Sequence, residues 1–136
     1  MTSRSIGYAR TSGGGDTKQA AGLEVQVKAL KDAGCAVVFQ EIVSTRTAEK
    51  DRHQLQAALN AVVEGDELVI TALSRLGRTQ REVINRLHDL QEEGIHVRTL
   101  DGLVNTKAMG KMAPVLIGLL TGLNEVEREM TRDRVM

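Results

Sequence analysis

Short apolar segments alternate four times with amphipathic segments along the first hundred residues of this chain. The segment 68–72 is almost continuously apolar, as expected of a strand buried on both faces of a sheet. Alternating strands and helices are typical of a parallel sheet covered by helices. The sequence therefore predicts an α/β domain with a mostly parallel four- or five-stranded sheet flanked by helices. The predicted strands are 5–10, 36–40, 68–72 and 95–100, and the predicted helices are one that ends at Gly34, then 53–64 and 79–93.

The alternation stops at about Ala113, and the rest of the chain has the spacing of one long helix. Pro114 suits the first turn of this helix, where a missing N–H costs little. The apolar positions recur three or four residues apart, so the helix must pack either on its own domain or on another subunit. We therefore divide the chain into a core, residues 1–112, and a long C-terminal helix, residues 113–136. The apolar residues of the helix are Leu116, Leu119, Leu120, Leu123, Val126 and Met130.

Composition limits the possible functions of a chain of 136 residues, a length typical of one domain. Its 18 Lys and Arg balance 18 Asp and Glu, whereas a free-standing DNA-binding protein usually has a basic excess. Tyr8 and Phe39 are the only aromatic residues, which argues against a module that stacks unpaired bases. The single Cys35 excludes an intrachain disulfide, and no segment has the length and apolarity of a signal peptide or a membrane span. We expect a cytoplasmic protein without membrane contact.

Several arginines and one serine follow predicted strands. Arg10 and Ser12 come after the first strand, and Arg75 and Arg78 come after the strand 68–72. The carboxyl ends of parallel strands share one edge of a sheet, so these side chains can converge there. Arginine offers a planar fork of donors that matches phosphate oxygens, and an activated serine can attack phosphorus. This pattern predicts a site for phosphoryl transfer.

Other common sites lack their sequence patterns. The loop around Ser12 does not end in the Gly-Lys-Ser/Thr of nucleotide hydrolases, and the chain has no Gly-x-Ser-x-Gly motif. The three histidines are scattered and do not have the spacing of metal ligands, so no metal site is predicted. Taken alone, Ser12 in a glycine-rich loop is more typical of a turn residue.

In combination, these segments resemble the catalytic domain of the serine recombinases, the resolvases and DNA invertases. The resemblance begins at Tyr8-Ala9-Arg10-Thr11-Ser12, similar to the family's opening Tyr-x-Arg-x-Ser motif. The further blocks occur in family order and cover nearly the whole chain. They are Leu23 to Leu30, Asp51-Arg52, Gly65 to Ile70, Leu73-Ser74-Arg75-Leu76-Gly77-Arg78, Met109 to Met112, and Glu125 to Glu129.

The resemblance implies a function for individual residues. Ser12 would attack the scissile phosphate and become joined to the DNA 5′ end, and the phosphoserine link would conserve the bond energy without any cofactor. The long helix would form the interface of a homodimer, and of a tetramer during recombination on double-stranded DNA. The implied catalytic residues are Ser12, Arg10, Arg75, Arg78, Arg52 and Gln26; the supporting residues are Tyr8, Ser44, Asp66 and Ser74; the DNA-binding residues are Lys111, Arg128, Arg132 and Arg134.

The sequence departs from the family pattern in ways that leave alternatives open. Ser12 is followed by three glycines where the family commonly has Thr, and Ser74 stands where an aspartate is common. The family's helix-turn-helix domain is expected to be absent, because the sequence ends at Met136 directly after the long helix. We therefore expect weak DNA binding with little sequence preference. The alternatives are a catalytically silent, recombinase-like oligomerisation module and a small-molecule phosphotransfer or hydrolase domain.

Overall fold

Strands and helices alternate through the first hundred residues of the chain, as predicted. The structure is a computed structural model that describes residues 4–11, 17–42 and 53–135, without the side chains of residues 17–21, 128 and 131–135. A short 3₁₀ helix at Leu73–Arg75 follows the third strand. The elements in chain order are β1 Ser5–Thr11, α1 Thr17–Asp32, β2 Val37–Ile42, α2 His53–Ala61, β3 Glu67–Ile70, α3 Gln80–Glu92, β4 His96–Thr99, α4 Thr106–Met109 and α5 Met112–Val135.

The four strands form one parallel sheet in the order β2-β1-β3-β4. This confirms the predicted fold class. In β1, every residue after Ser5 is buried, because the strand has a neighbour on each side and helices on both faces. Its pairing with β2 continues to Thr11, opposite Ile42, whereas its pairing with β3 ends at Gly7, opposite Val69.

The two faces of the sheet have separate apolar clusters. On one face, Ala9 and Val69 pack with Leu23 and Leu30 of α1. On the other face, a larger cluster includes Tyr8, Leu68 and Ile70 together with side chains of α2, α3 and α5. The alternation of Tyr8 with Ala9, and of Leu68 with Val69, follows the period of two by which successive side chains of a strand point to opposite faces.

The long helix predicted from Ala113 is confirmed as α5, which begins one residue earlier. It packs against α3, and Ala113 and Ile117 in its first half are buried. Most other apolar side chains of α5 are exposed, and Leu119 is 60% exposed. Among the described helices, none combines the length and the apolarity that crossing a bilayer requires.

Candidate active site

At the carboxyl edge of the sheet, the end of β1 lies next to the 3₁₀ helix that follows β3. Because β1 extends beyond the last residue of β3, Arg10 lies next to the segment into which the chain turns after Ile70. The Arg10 side chain is 1% exposed, and its Nη2 donates to the main-chain oxygen of Ser74 across 3.5 Å. A buried guanidinium requires oxygen partners, because its charge has left water. The predicted residues Arg10 and Ser74 are thus brought together.

Gln26 reaches the same edge from α1. The main-chain N–H of Arg10 donates to Oε1 of Gln26 at 3.3 Å, and Nε2 of Gln26 donates to the main-chain oxygen of Arg10 at 3.0 Å. The side-chain amide is therefore bound to the backbone two residues before Ser12. Gln26 thus contacts the main chain that leads to Ser12.

Tyr8 is fully buried, and its hydroxyl donates to the carboxylate of Glu41 near the end of β2. The same carboxylate accepts the main-chain N–H groups of Gln54 at 3.2 Å and Leu55 at 3.1 Å, in the first turn of α2. Such N–H groups have no partner inside the helix. A carboxylate at this position is also attracted by the positive end of the helix dipole. Glu41 therefore links β1 and β2 to the start of α2. This helix begins at the residue that follows Arg52 in sequence.

Sequence reasoning missed Glu41. Its contact depends on β2 extending to Ile42, two residues beyond the predicted strand, so that it lies across from Arg10 in the ladder. The available signal was an acidic residue directly after a predicted strand that begins with apolar residues.

The other two predicted arginines follow β3 as expected and have different partners. Nε of Arg75 donates to the Thr71 hydroxyl at 3.4 Å. Arg78 is more exposed and pairs with Glu82 in the first turn of α3, with 2.9 Å between Nη2 and Oε1. A hydrogen bond from its guanidinium to Glu82, followed by the charge of that carboxylate, raises the pKa of Arg78. Arg78 therefore keeps its charge throughout the ordinary pH range.

Asp66 is not at this edge, and the expectation that it supports the site requires correction. It directly precedes β3, so it lies at the amino edge of the sheet, at the other end of the strand from Ser74 and Arg75. Its carboxylate accepts Nη2 of Arg4 at 2.7 Å and the main-chain N–H of Val63 at 2.9 Å. These contacts close the turn between α2 and β3. The sequence could have predicted this position, because a residue that directly precedes a parallel strand lies at the amino edge of the sheet.

The remaining expected site residues lie partly or wholly outside the described residues. Lys111 is exposed just before α5, and a helical rise of 1.5 Å per residue places it about 25 Å along the helix from the Arg128 backbone. Among the side chains that the structure describes, no three His, Cys, Asp or Glu residues form a group that could hold a metal ion. Outside the described residues are Ser12, Ser44, Arg52 and the side chains of Arg128, Arg132 and Arg134.

The structure is thus an α/β domain in which Arg10 is buried at the end of β1, and Arg75 and Arg78 follow β3. Residues 5–136 match the family described as "Resolvase, N terminal domain". The chain therefore belongs to the resolvase family, in which it corresponds to the N-terminal domain.

Individual relatives agree with this assignment. The chain is 36% identical over 133 residues to serine recombinase gin of Escherichia phage Mu, covering 96% of this chain and 63% of that protein. It is 32% identical over 133 residues to the transposon Tn3 resolvase of Escherichia coli, covering 96% of this chain and 67% of that protein. The chain thus spans about three fifths to two thirds of the length of these relatives.

The fold is also similar to that of solved structures. The N-terminal catalytic domain of TP901-1 integrase superposes with a TM-score of 0.68 at 18% identity, over 93% of this chain and 98% of that one. A resolvase family site-specific recombinase from Streptococcus pneumoniae gives a TM-score of 0.66 at 17% identity, over 99% and 94% of the two chains. At such identities, these two likenesses establish the fold.

Proposed function

We propose that this chain is the catalytic domain of a site-specific DNA recombinase, with Ser12 as the nucleophile. The observation that carries the proposal is the position of Arg10, which is buried at the carboxyl edge two residues before Ser12 and joined to Ser74 and Gln26. The match of residues 5–136 to the resolvase family supports it. The relatives that the chain resembles include proteins named serine recombinase, DNA-invertase and resolvase.

The proposed reaction exchanges one phosphodiester for another. The Ser12 oxygen bonds to the scissile phosphorus, the bond from phosphorus to the 3′ oxygen breaks, and that oxygen leaves with a proton as a 3′ hydroxyl. The serine proton passes to a base. Religation reverses these steps, with a 3′ hydroxyl attacking the phosphoserine and releasing Ser12. Because one ester replaces another, no cofactor is needed to supply energy.

Arginines stabilise the reaction because negative charge is spread over the phosphoryl oxygens in the transition state. Arg10, Arg75 and Arg78 are proposed to bind these oxygens, and Arg52 is proposed to complete the set. Preorganised donors in a site that excludes water stabilise such charge more than they would in water. The burial of Arg10 fits that requirement. Gln26, Tyr8, Ser74 and Ser44 are proposed to hold the surrounding backbone and side chains.

We also propose that the chain assembles as a homodimer, and as a tetramer during strand exchange, through α5. One face of α5 packs on α3, while the other is apolar and exposed with alternating spacings of four and three residues. That spacing is the seam of a pair of helices. Substituting Leu119 with Glu should weaken self-association in sedimentation velocity, whereas the matched exposed substitution Val25→Glu on α1 should not. The exposed seam residues are Met112, Leu116, Leu119, Leu123, Val126 and Met130.

Double-stranded DNA is the proposed substrate, and Lys111, Arg128, Arg132 and Arg134 are its proposed backbone contacts. They would bind phosphates without reading bases. An assay of these contacts uses an added DNA-binding domain of known site, so that the chain is held at a chosen position on the duplex.

Covalent trapping tests the proposed chemistry. The chain is fused to a DNA-binding domain of known site and incubated with a duplex nicked near the crossover, and the mixture is then separated on a denaturing gel. The expected result is a protein adduct on the DNA 5′ end that Ser12→Ala abolishes. Binding and correct folding without an adduct would instead support a catalytically silent oligomerisation module, the reading that the exposed seam of α5 also allows.

A further inference from the structure

Arg78 is bound to the carboxylate of Glu82 through three donors, one on its main chain and two on its side chain. The main-chain N–H of Arg78 donates to Oε2 of Glu82 at 2.6 Å. Its Nε and Nη2 both donate to Oε1 of Glu82, at 3.0 Å and 2.9 Å. Neither the family resemblance nor the proposed reaction gives Glu82 a role, so this arrangement requires an explanation of its own.

Glu82 is itself fixed in place by the turn that precedes it. Thr79 is the N-cap of α3, and its hydroxyl accepts the main-chain N–H of Glu82 at 3.2 Å. The backbone of Gly77 lies so close that an added Cβ would be 2.8 Å from Cβ of Glu82 and 3.1 Å from the nitrogen of Val83. The Glu82 carboxylate therefore projects from a rigid turn rather than from a mobile surface.

The pairing uses only one edge of the guanidinium. The guanidinium of arginine has five N–H donors in one plane. Glu82 accepts two of them, the N–H of Nε and one N–H of Nη2. Within the described parts of the chain, the other edge, formed by Nη1 and the second Nη2 hydrogen, has no hydrogen-bond partner. This edge is a second fork with the spacing of two phosphate oxygens.

We propose that Glu82 is a positioning residue for Arg78: it fixes the Nε edge of the guanidinium so that the opposite edge binds the scissile phosphate. This inference rests on the proposed function. An exposed i,i+4 ion pair contributes little to stability, so stability alone is a weak reason for the arrangement. Restricting Arg78 before the substrate arrives lowers the entropy lost when the phosphate is bound.

A double-mutant cycle tests this inference with the trapping assay, in which the fused full chain is mixed with nicked duplex and adduct formation is followed in single turnover. We expect Glu82→Ala to slow adduct formation roughly 10- to 100-fold, as displacement of a catalytic group can. DNA affinity should change little. In an Arg78→Ala background, Glu82→Ala should cause no further loss, because Glu82 acts through Arg78.

The controls separate positioning from a structural effect. Asp32→Ala breaks the Lys28–Asp32 pair, which has the same i,i+4 spacing and lies on α1, and it should leave the rate unchanged. Glu82→Gln keeps an acceptor oxygen and should give an intermediate rate. Should Glu82→Ala fail to fold by circular dichroism, Glu82→Gln replaces it throughout the cycle.

Each outcome decides a separate question. An adduct in the wild type with equal rates in Glu82→Ala would overturn the positioning role alone. So would a loss that persists at full size in the Arg78→Ala background, since that result would mean a structural role for Glu82. No adduct in the folded, DNA-bound wild type would overturn the proposed function, and with it the role of Glu82.

Discussion

The side-chain amide of Gln26 forms a closed pair of hydrogen bonds with the main chain of Arg10. These backbone groups lie at a point where β1 still pairs with β2 but β3 has already ended. An N–H and a C=O that a third strand would have satisfied are therefore satisfied by an amide from α1. A helix side chain thus completes the sheet beside the predicted nucleophile.

Replacing Gln26 with Leu should destabilise the fold, because it leaves the N–H and the oxygen of Arg10 without these partners. The expected loss in the free energy of unfolding is about 1–2 kcal/mol. Urea denaturation measures it, with Gln40→Leu at an exposed position of β2 as the control. Equal stability of the two variants would mean that the amide pair contributes nothing.

Asp66 should make stability depend on pH. Its hydrogen bond with Arg4 lowers the pKa of Asp66 in the folded chain below its usual value of 3.8. The pair therefore stabilises the fold fully above the unfolded pKa, and this contribution is lost as pH falls through the lower folded pKa. We expect Asp66→Asn to be less stable than the wild type at pH 7, with the difference shrinking below about pH 4.

Urea denaturation across this pH range measures that difference for Asp66. The control is Asp32→Asn, which alters an ion pair exposed on both sides. A gap between wild type and Asp66→Asn that stayed constant down to pH 3 would contradict the assignment of Asp66 as the titrating group.

Asn124 is a polar side chain in the contact between α3 and α5. It is 6% exposed, and its Nδ2 has no hydrogen-bond partner among the described residues. Burying an unsatisfied donor costs about 1–3 kcal/mol. Leu has the same number and branching of side-chain heavy atoms as Asn, so Asn124→Leu should raise the free energy of unfolding by roughly 1 kcal/mol. Asn85→Leu at an exposed position of α3 is the control, and a less stable Asn124→Leu chain would refute this account.

The thiol of Cys35 should be almost inert in the folded chain. It is buried beneath α1, and this burial raises the pKa of Cys35 to about 11. At pH 8, about one thiol in a thousand is then the reactive thiolate. Iodoacetamide should label the folded chain far more slowly than the chain in urea, as measured by mass spectrometry. Because Cys35 is the only cysteine, labelling at equal rates in both states would place it at the surface.

Periodicity predicted the larger elements because they are long enough to show it. The four strands, the helices between them and α5 all have periodic apolar residues, and many of these residues are buried in the structure. The 3₁₀ helix Leu73–Arg75 and α4 were not predicted, because three or four residues make only about one turn and cannot show a helical period, whereas the strand period of two fits into four residues. The meeting of Arg10 with the segment that follows β3 was predicted from strand direction, whereas Ser74 was named only through the family resemblance.

The contacts of single side chains were harder to predict. The spacing of residues cannot show that Arg78 is bound to Glu82 or that Gln26 faces the backbone of Arg10, since both depend on where a loop turns. The family resemblance suggested Asp66 for the site, whereas its contact with Arg4 follows from the amino edge of β3. Sequence patterns thus predicted which elements meet, and three-dimensional packing determined which atoms do.

The carboxylate of Glu41 also restricts how far α2 can move relative to β1. It accepts the hydroxyl of the buried Tyr8 in β1 and the main-chain N–H groups of Gln54 and Leu55 in the first turn of α2. A shift of α2 would therefore leave either the tyrosine hydroxyl or the first N–H groups of the helix without a partner. We expect β1 and the start of α2 to move together as one rigid unit.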